Sequence, residues 1–165
     1  MVIFMNNPDT AISSIALARL DSMGIELPDT LEPKGNYSVI NRSGNLLYLS
    51  GQGPLWEDKV VYSGCVGRDL SIKEGYAAAR LTAINILGVL YIHGYDLDRL
   101  RFVKMLGFVS SVPGFYDQPQ VINGATDLLC DVLGDRGRPA RSAVAVPQLP
   151  FNTPVEIEVI IDIGG

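Results

Sequence analysis

Histidine is almost absent from this chain: His93 is the only one in 165 residues. A metal centre built on several imidazoles is thereby excluded, and a Ser-His-Asp triad nearly so. Cysteine is nearly as scarce. Cys65 and Cys130 stand far apart and form no CxxC pair, so they read as small buried hydrophobes of a reducing compartment. Charge is sparse too, at 19% of residues against roughly 25% in an average soluble domain. Part of the surface is therefore expected to be covered by copies of the chain itself. Bases are the rarer sign, 13 against 18 acids, for a net charge of −5. Polyanion binding needs clustered Lys and Arg, so no nucleic-acid partner is expected; the local run Arg136, Arg138, Arg141 is the one exception. No apolar run reaches the ~18 residues of a membrane span. The opening "MVIFMNNPDT" lacks the basic n-region and the apolar length of a signal peptide. The expectation is a cytoplasmic protein without a membrane partner. Phosphate loops are missing as well: "GQGP" and "GCVG" are followed by no Lys-Ser/Thr and contain no G-x-G-x-x-G.

What is present is enough apolar material for a core, 47% of residues. One domain over residues 1–165 is expected, with an N-terminal helix and connector in 1–32 and the core in 33–165. "SSIALARLDSMG" reads as a helix capped by Ser13 or Ser14, with Ile15, Leu17 and Leu20 as apolar positions and Gly24 ending it in the left-handed conformation. "NYSVINRSGNLLYLSGQ" reads as a hairpin: an extended run through Ile40, a turn at Ser43-Gly44-Asn45, then Leu46 to Ser50. A third strand is expected around Val60 to Tyr62. Ser71 and Glu74 have capping-box spacing and open a long helix closed by Gly94. "LRFVKMLGFVSSV" is a strand. Pro119 after Asp117 starts a helix that runs to Gly134. "SAVAVPQL" and "VEIEVIIDI" are the last two strands. In the second, Val155, Ile157 and Val159 alternate with Glu156, Glu158 and Ile160. The order predicts an α+β, mixed α/β domain: a mixed sheet of about six strands, two main helices on one face, and an extra N-terminal helix. The opposite face then needs another cover, most simply a second subunit.

Within this plan Arg141 is conspicuous. A lone arginine beside a buried strand is unfavourable unless an anion meets it. Either a neighbouring acid such as Glu156 or Glu158 pairs with it, or a ligand does.

The segment "RPARSAVAVPQLPFNTPVEIEVI" resembles the signature of the Rid/YjgF family, the reactive-intermediate deaminases. There an "ARS" arginine precedes a strand, a Leu-Pro turn and a "VEIE" strand. "GNYS" is similar to the family's Gly-x-Tyr segment, "GNLLYLSGQGP" to its hairpin with a Ser-Gly-Gln end, and "VINGATDLL" to the helix bearing its asparagine. The resemblance runs from about Gly35 to Ile163. It implies a chorismate-mutase-like fold, a homotrimer whose sheets face a central barrel, and clefts between subunits. It also implies hydrolysis of 2-imino acids and their enamine tautomers to 2-oxo acids and ammonia, with no metal or organic cofactor.

Carried over residue by residue, the resemblance makes Arg141 the anchor of a substrate carboxylate, which its planar fork suits. Glu156 falls where the family's carboxylate lies near the attacking water, and a carboxylate can act there as a base. Glu158 shares its strand face and is the confounding neighbour. Tyr37 matches the aromatic near the substrate, and Asn123 the helix-borne asparagine. Ser50 and Gly51 end a strand at the expected cleft. Two departures stand out. Ala143 occupies a position where the family often has cysteine, which leaves main-chain contacts there and removes a thiol. The loop "GDRGRPAR" is slightly longer than the common form. Two other functions compete with the deaminase reading. One is a non-catalytic module binding small carboxylic or 2-oxo acids through Arg141; the other is a ribonuclease, against which the charge and the lone His93 argue. His93 itself reads as a helix C-terminal residue favoured by the dipole.

Overall fold

The protein is described by a computed structural model that covers residues 14–29 and 35–164. Ser13, one of the two expected caps, and part of the connector lie outside the described residues. The first helix, α1 (Ile15–Ser22), is capped by Ser14, whose hydroxyl accepts from Leu17 N. Gly24 follows with φ 65°, as the sequence suggested. The apolar face is the expected one in part: Leu20 is buried and Leu17 packs against the core, but Ala16 is buried in place of Ile15, which is exposed. The reason is the dock. Asp98 accepts from Ile15 N at 2.8 Å and Ala16 N at 2.9 Å. The Arg19 guanidinium donates to Val132 O at 2.9 Å. The helix therefore lies along the C-terminal part of a later helix and turns Ile15 outward.

The hairpin β1 (Ile40–Ser43) and β2 (Leu46–Gln52) turns at Gly44-Asn45. Its first strand begins only at Ile40, where the sequence pattern suggested that extended chain would already be paired. The expected third strand does not join the main sheet. Lys59–Val60 (β4) pairs with Leu55–Trp56 (β3) in a separate two-stranded ribbon. Its turn residues Glu57 and Asp58 both have positive φ, 48° and 61°, as a two-residue hairpin turn with the right twist requires.

Helix α2 (Ile72–Ile92) starts on the capping box read from the sequence: Glu74 N donates to the Ser71 hydroxyl, and Ser71 N donates to the Glu74 carboxylate at 2.8 Å. It ends at His93, whose ring Nδ1 lies 2.7 Å from Val89 O. Contrary to the expectation, this helix is long and apolar enough to cross a membrane by length and composition alone. Its small buried residues Ala78, Ala79 and Ala83 pack it instead against the sheet and its neighbouring helix, which is the pattern of a core helix. β5 (Arg101–Ser110), α3 (Gln118–Leu133) and β6 (Ala140–Val146) form a β-α-β unit with parallel strands. The last strand, β7 (Val155–Asp162), pairs antiparallel with both β2 and β5.

Among the described residues the main sheet thus has five strands in the order β1-β2-β7-β5-β6, one fewer than expected because the third hairpin strand left it. Val155, Ile157, Val159 and Ile161 face the helices and are fully or almost fully buried. Glu156, Glu158 and Ile160 face away, as alternation dictates. Cross-strand pairing puts Lys104, Leu106 and Phe108 on that same open face, with Tyr48, Ser142 and Val144. No helix of the described residues covers it; Tyr48 and Val144 are exposed. Cys65 is buried as expected, Cys130 only in part, and both are free thiols.

Candidate functional site

The seven residues singled out in the sequence separate into two groups. Tyr37, Ser50, Gly51 and Glu156 line one cavity of about 450 Å3, together with Val39, Gln52, Leu55, Asp58, Phe151 and Thr153. A β-bulge makes this possible. Between Leu49 and Gln52, β2 advances one residue more than β7, which runs from Val159 to Ile157 over the same stretch. Such a bulge redirects side chains locally, and here it turns Ser50 and Gly51 toward Glu156. Ser50 is fixed by its own N–H, which donates to Val39 O at 3.0 Å. The wall beneath is pinned by Asn85 of α2, whose amide donates to Gly53 O at 2.9 Å and Leu55 O at 2.8 Å.

Gly51 lies in this bulge, beside Glu156. Its φ is ordinary, but a Cβ there would overlap the Glu156 carboxylate. Glycine clears the space in which that carboxylate sits. Glu156 is half-buried, and its pKa is raised, first by burial and second by the charge of Glu158. A carboxylate with a raised pKa is a stronger proton acceptor when ionised.

The second group lies elsewhere. Arg141 is on β6, opposite Met105, and so faces the helices. Its Nη1 donates to Asn123 Oδ1 at 2.8 Å and to Thr126 Oγ1 at 3.0 Å, and Nη2 reaches Pro119 O at 3.4 Å. All three acceptors are neutral groups of α3. No carboxylate pairs with Arg141 among the described residues, so neither Glu156 nor Glu158 is its partner. Nε and the remaining Nη2 donor meet no acceptor among those residues. Ala143 follows on the same face and packs against the core. The longer loop before β6, which contains a 3-10 turn at Gly134–Gly137, leaves the Asn123–Arg141 contact in place. Sequence reading missed Thr126. Its signal was its place three residues after Asn123, which sets both on one helix face. It also missed the cavity wall of Leu55, Phe151 and Thr153.

The arginine run does not form one basic patch. Arg136 lies 4.0 Å from Asp98, and Arg141 turns to α3. Among the described residues, no group of three or more His, Cys, Asp or Glu side chains is placed to hold a metal ion.

Residues 17–162 match the sequence model of a family described as "YjgF/chorismate_mutase-like, putative endoribonuclease". Protein TCP17 of Trypanosoma cruzi is 40% identical over 150 residues, covering 90% of this chain and 94% of that protein. The crystal structure of a protein of unknown function from Agrobacterium tumefaciens is similar with a TM-score of 0.84 and 44% identity, over 90% of this chain and 92% of that one. RidA from an Antarctic Psychrobacter species has a TM-score of 0.57 and 26% identity, over 83% of this chain and 94% of its own. With its mixed sheet, its two long helices on one face and this match along nearly its whole length, the chain belongs to the YjgF/Rid family and has that family's chorismate-mutase-like fold.

Proposed function

We propose that the chain hydrolyses 2-imino acids to 2-oxo acids and ammonia, in clefts that two copies complete together. The observation that carries this reading is the state of Arg141. A guanidinium oriented by three neutral acceptors, with donors to spare and no acid beside it among the described residues, is prepared for an anion. A substrate carboxylate suits it by two charge-assisted bonds. Glu156 supplies what the other half of the reaction needs. Water adds to the imine carbon as Glu156 accepts its proton. The proton passes to nitrogen and gives the carbinolamine; its hydroxyl proton then moves to the amino group by way of Glu156, the C–N bond breaks as the carbonyl forms, and ammonia leaves. Holding the carboxylate and placing one water account for most of the required rate, because the free reaction is already fast.

One chain does not bring the two groups together. Glu156 is on the open face of β7, and Arg141 is on the helix side of β6. The uncovered sheet face with Tyr48, Leu106 and Val144 supports a cyclic homotrimer, in which the cavity of one copy meets the Arg141 edge of the next. The divided arginine run and the net charge of −5 favour this over a ribonuclease.

The test is an ammonia-coupled assay on imino acids generated in place by an amino-acid oxidase. Arg141→Ala is expected to weaken both 2-oxo acid binding and turnover. Glu156→Gln is expected to spare binding and lower turnover by about 10² to 10⁴-fold, with Glu158→Gln as the control on the same face. Ammonia release no faster than the spontaneous rate, for every imino acid tried, overturns the reading in favour of a binding module.

A further inference from the structure

Phe151 is the least economical residue in the cavity wall. It sits in the 3-10 turn Pro150–Asn152 between β6 and β7 with φ 56° and ψ 19°, and Asn152 follows with φ 58°. A left-handed conformation disfavours a bulky side chain. The ring does not recover that by burial, since it is 66% exposed.

The turn is nevertheless held firmly. The Asn152 amide donates to the Ser63 hydroxyl at 2.9 Å, and Gly64 N donates to Asn152 O at 2.8 Å. The Thr153 hydroxyl and N–H both donate to Pro150 O, at 3.0 and 3.2 Å. Strain fixed by surrounding bonds persists where it places a group for use. Here the group is an exposed aromatic ring that lines the cavity holding Glu156, together with Tyr37, Val39, Leu55 and Pro150.

We propose that Phe151 is a specificity-determining residue that makes the site select 2-imino acids with large apolar side chains. This rests on the deaminase reading of the same cavity. With the substrate carboxylate at Arg141 of one copy and its imine carbon at Glu156 of the other, the side chain runs along the remaining lining. That lining is mostly apolar, with Val39, Leu55, Pro150 and the Phe151 ring beside the polar Gln52, Asp58 and Thr153. A leucine-, methionine- or phenylalanine-derived imine covers the ring and gains the burial it lacks. An alanine-derived imine does not reach it.

The experiment compares wild type with Phe151→Asn and Phe151→Tyr. Asparagine tolerates the left-handed conformation and removes the ring; tyrosine restores the ring. Two readouts are taken: kcat/KM on phenylalanine- against alanine-derived imines, and calorimetric binding of phenylpyruvate against pyruvate. Wild type is expected to prefer the larger member by at least about tenfold in both. Phe151→Asn is expected to bring that ratio close to one, and Phe151→Tyr to return it. A ratio near one in wild type, or one that Phe151→Asn leaves unchanged, overturns the proposal. So does loss of assembly in Phe151→Asn by sedimentation, because the ring is then a contact between copies. If no imine is hydrolysed while the binding ratio still depends on Phe151, the deaminase reading fails and the selectivity of the cavity stands.

Discussion

Arg141 and Glu156 lie on opposite faces of one sheet, on strands separated by β5, and each is positioned by its own surroundings. Arg141 has Asn123 and Thr126 to orient it. Glu156 has the space cleared by Gly51. Neither needs the other to fold, which is why both are ready for a third party.

Asn123 controls Arg141 through a neutral oxygen. Asn123→Asp replaces that oxygen with a carboxylate at the same place and satisfies the guanidinium internally. Binding of a 2-oxo acid is expected to weaken by about 10 to 100-fold, and Asn123→Ala to weaken it less. Calorimetry with pyruvate and phenylpyruvate measures both. Equal affinity in Asn123→Asp and wild type contradicts the orienting role.

Gly51→Ala drives a methyl group into the Glu156 carboxylate. Turnover is expected to fall by about 10² or more if Glu156 is the base. Thermal melting is expected to show a folded protein, because the cavity side of Glu156 is open. Unchanged turnover contradicts the placement of Glu156.

The pKa of Glu156 is raised above its ordinary 4.5, first by burial and then by Glu158. The native state then holds the proton more tightly than the unfolded chain. Stability is expected to decline as pH rises from the unfolded value through the folded one, and to level off above it. Glu156→Gln is expected to remove this decline. The acidic limb of the pH-rate profile is expected above the ordinary glutamate value, and to move down in Glu158→Gln. Urea denaturation between pH 4 and pH 8, together with the rate profile, checks both directions.

Asp98 shows the opposite sign. Burial works against its charge, but the Ser14 hydroxyl and the N–H groups of Ala16 and Ile15 outweigh it, with help from Arg136, and the pKa falls below its ordinary 3.8. Its contribution is present above the unfolded pKa and is lost as pH falls through the folded one. Asp98→Ala removes the acceptor at the start of α1 and is expected to cost about 1 kcal/mol. Hydrogen exchange is expected to accelerate first at the α1 amides. Uniform acceleration over the whole chain contradicts this local role.

Much of the fold was legible because local chemistry announced it. The Ser71–Glu74 box, Gly24, Gly44 and the alternation in β7 each act within a few residues. What was hidden depends on long-range pairing. Val60 has strand character, but it pairs with Leu55 across the Glu57-Asp58 turn and so leaves the main sheet. Ile15 is apolar and exposed because Asp98, far along the chain, sets the angle of α1. At the site, residue types were readable from motif, whereas their division into two groups was not. Sequence spacing shows neither the bulge at Ser50–Gly51 nor the face on which Arg141 lies. The same holds for Phe151, whose exposure follows from a turn clamped by Ser63 and Gly64.

In the proposed shared site, one chain supplies Glu156 and another supplies Arg141. This sharing is tested most directly by refolding Arg141→Ala and Glu156→Gln together in equal amounts and assaying ammonia release. In a cyclic trimer with shared sites, about a quarter of the sites in a random mixture regain both intact residues. Activity near that fraction of wild type, well above either variant alone, is expected. Activity no greater than the average of the two separate variants contradicts it.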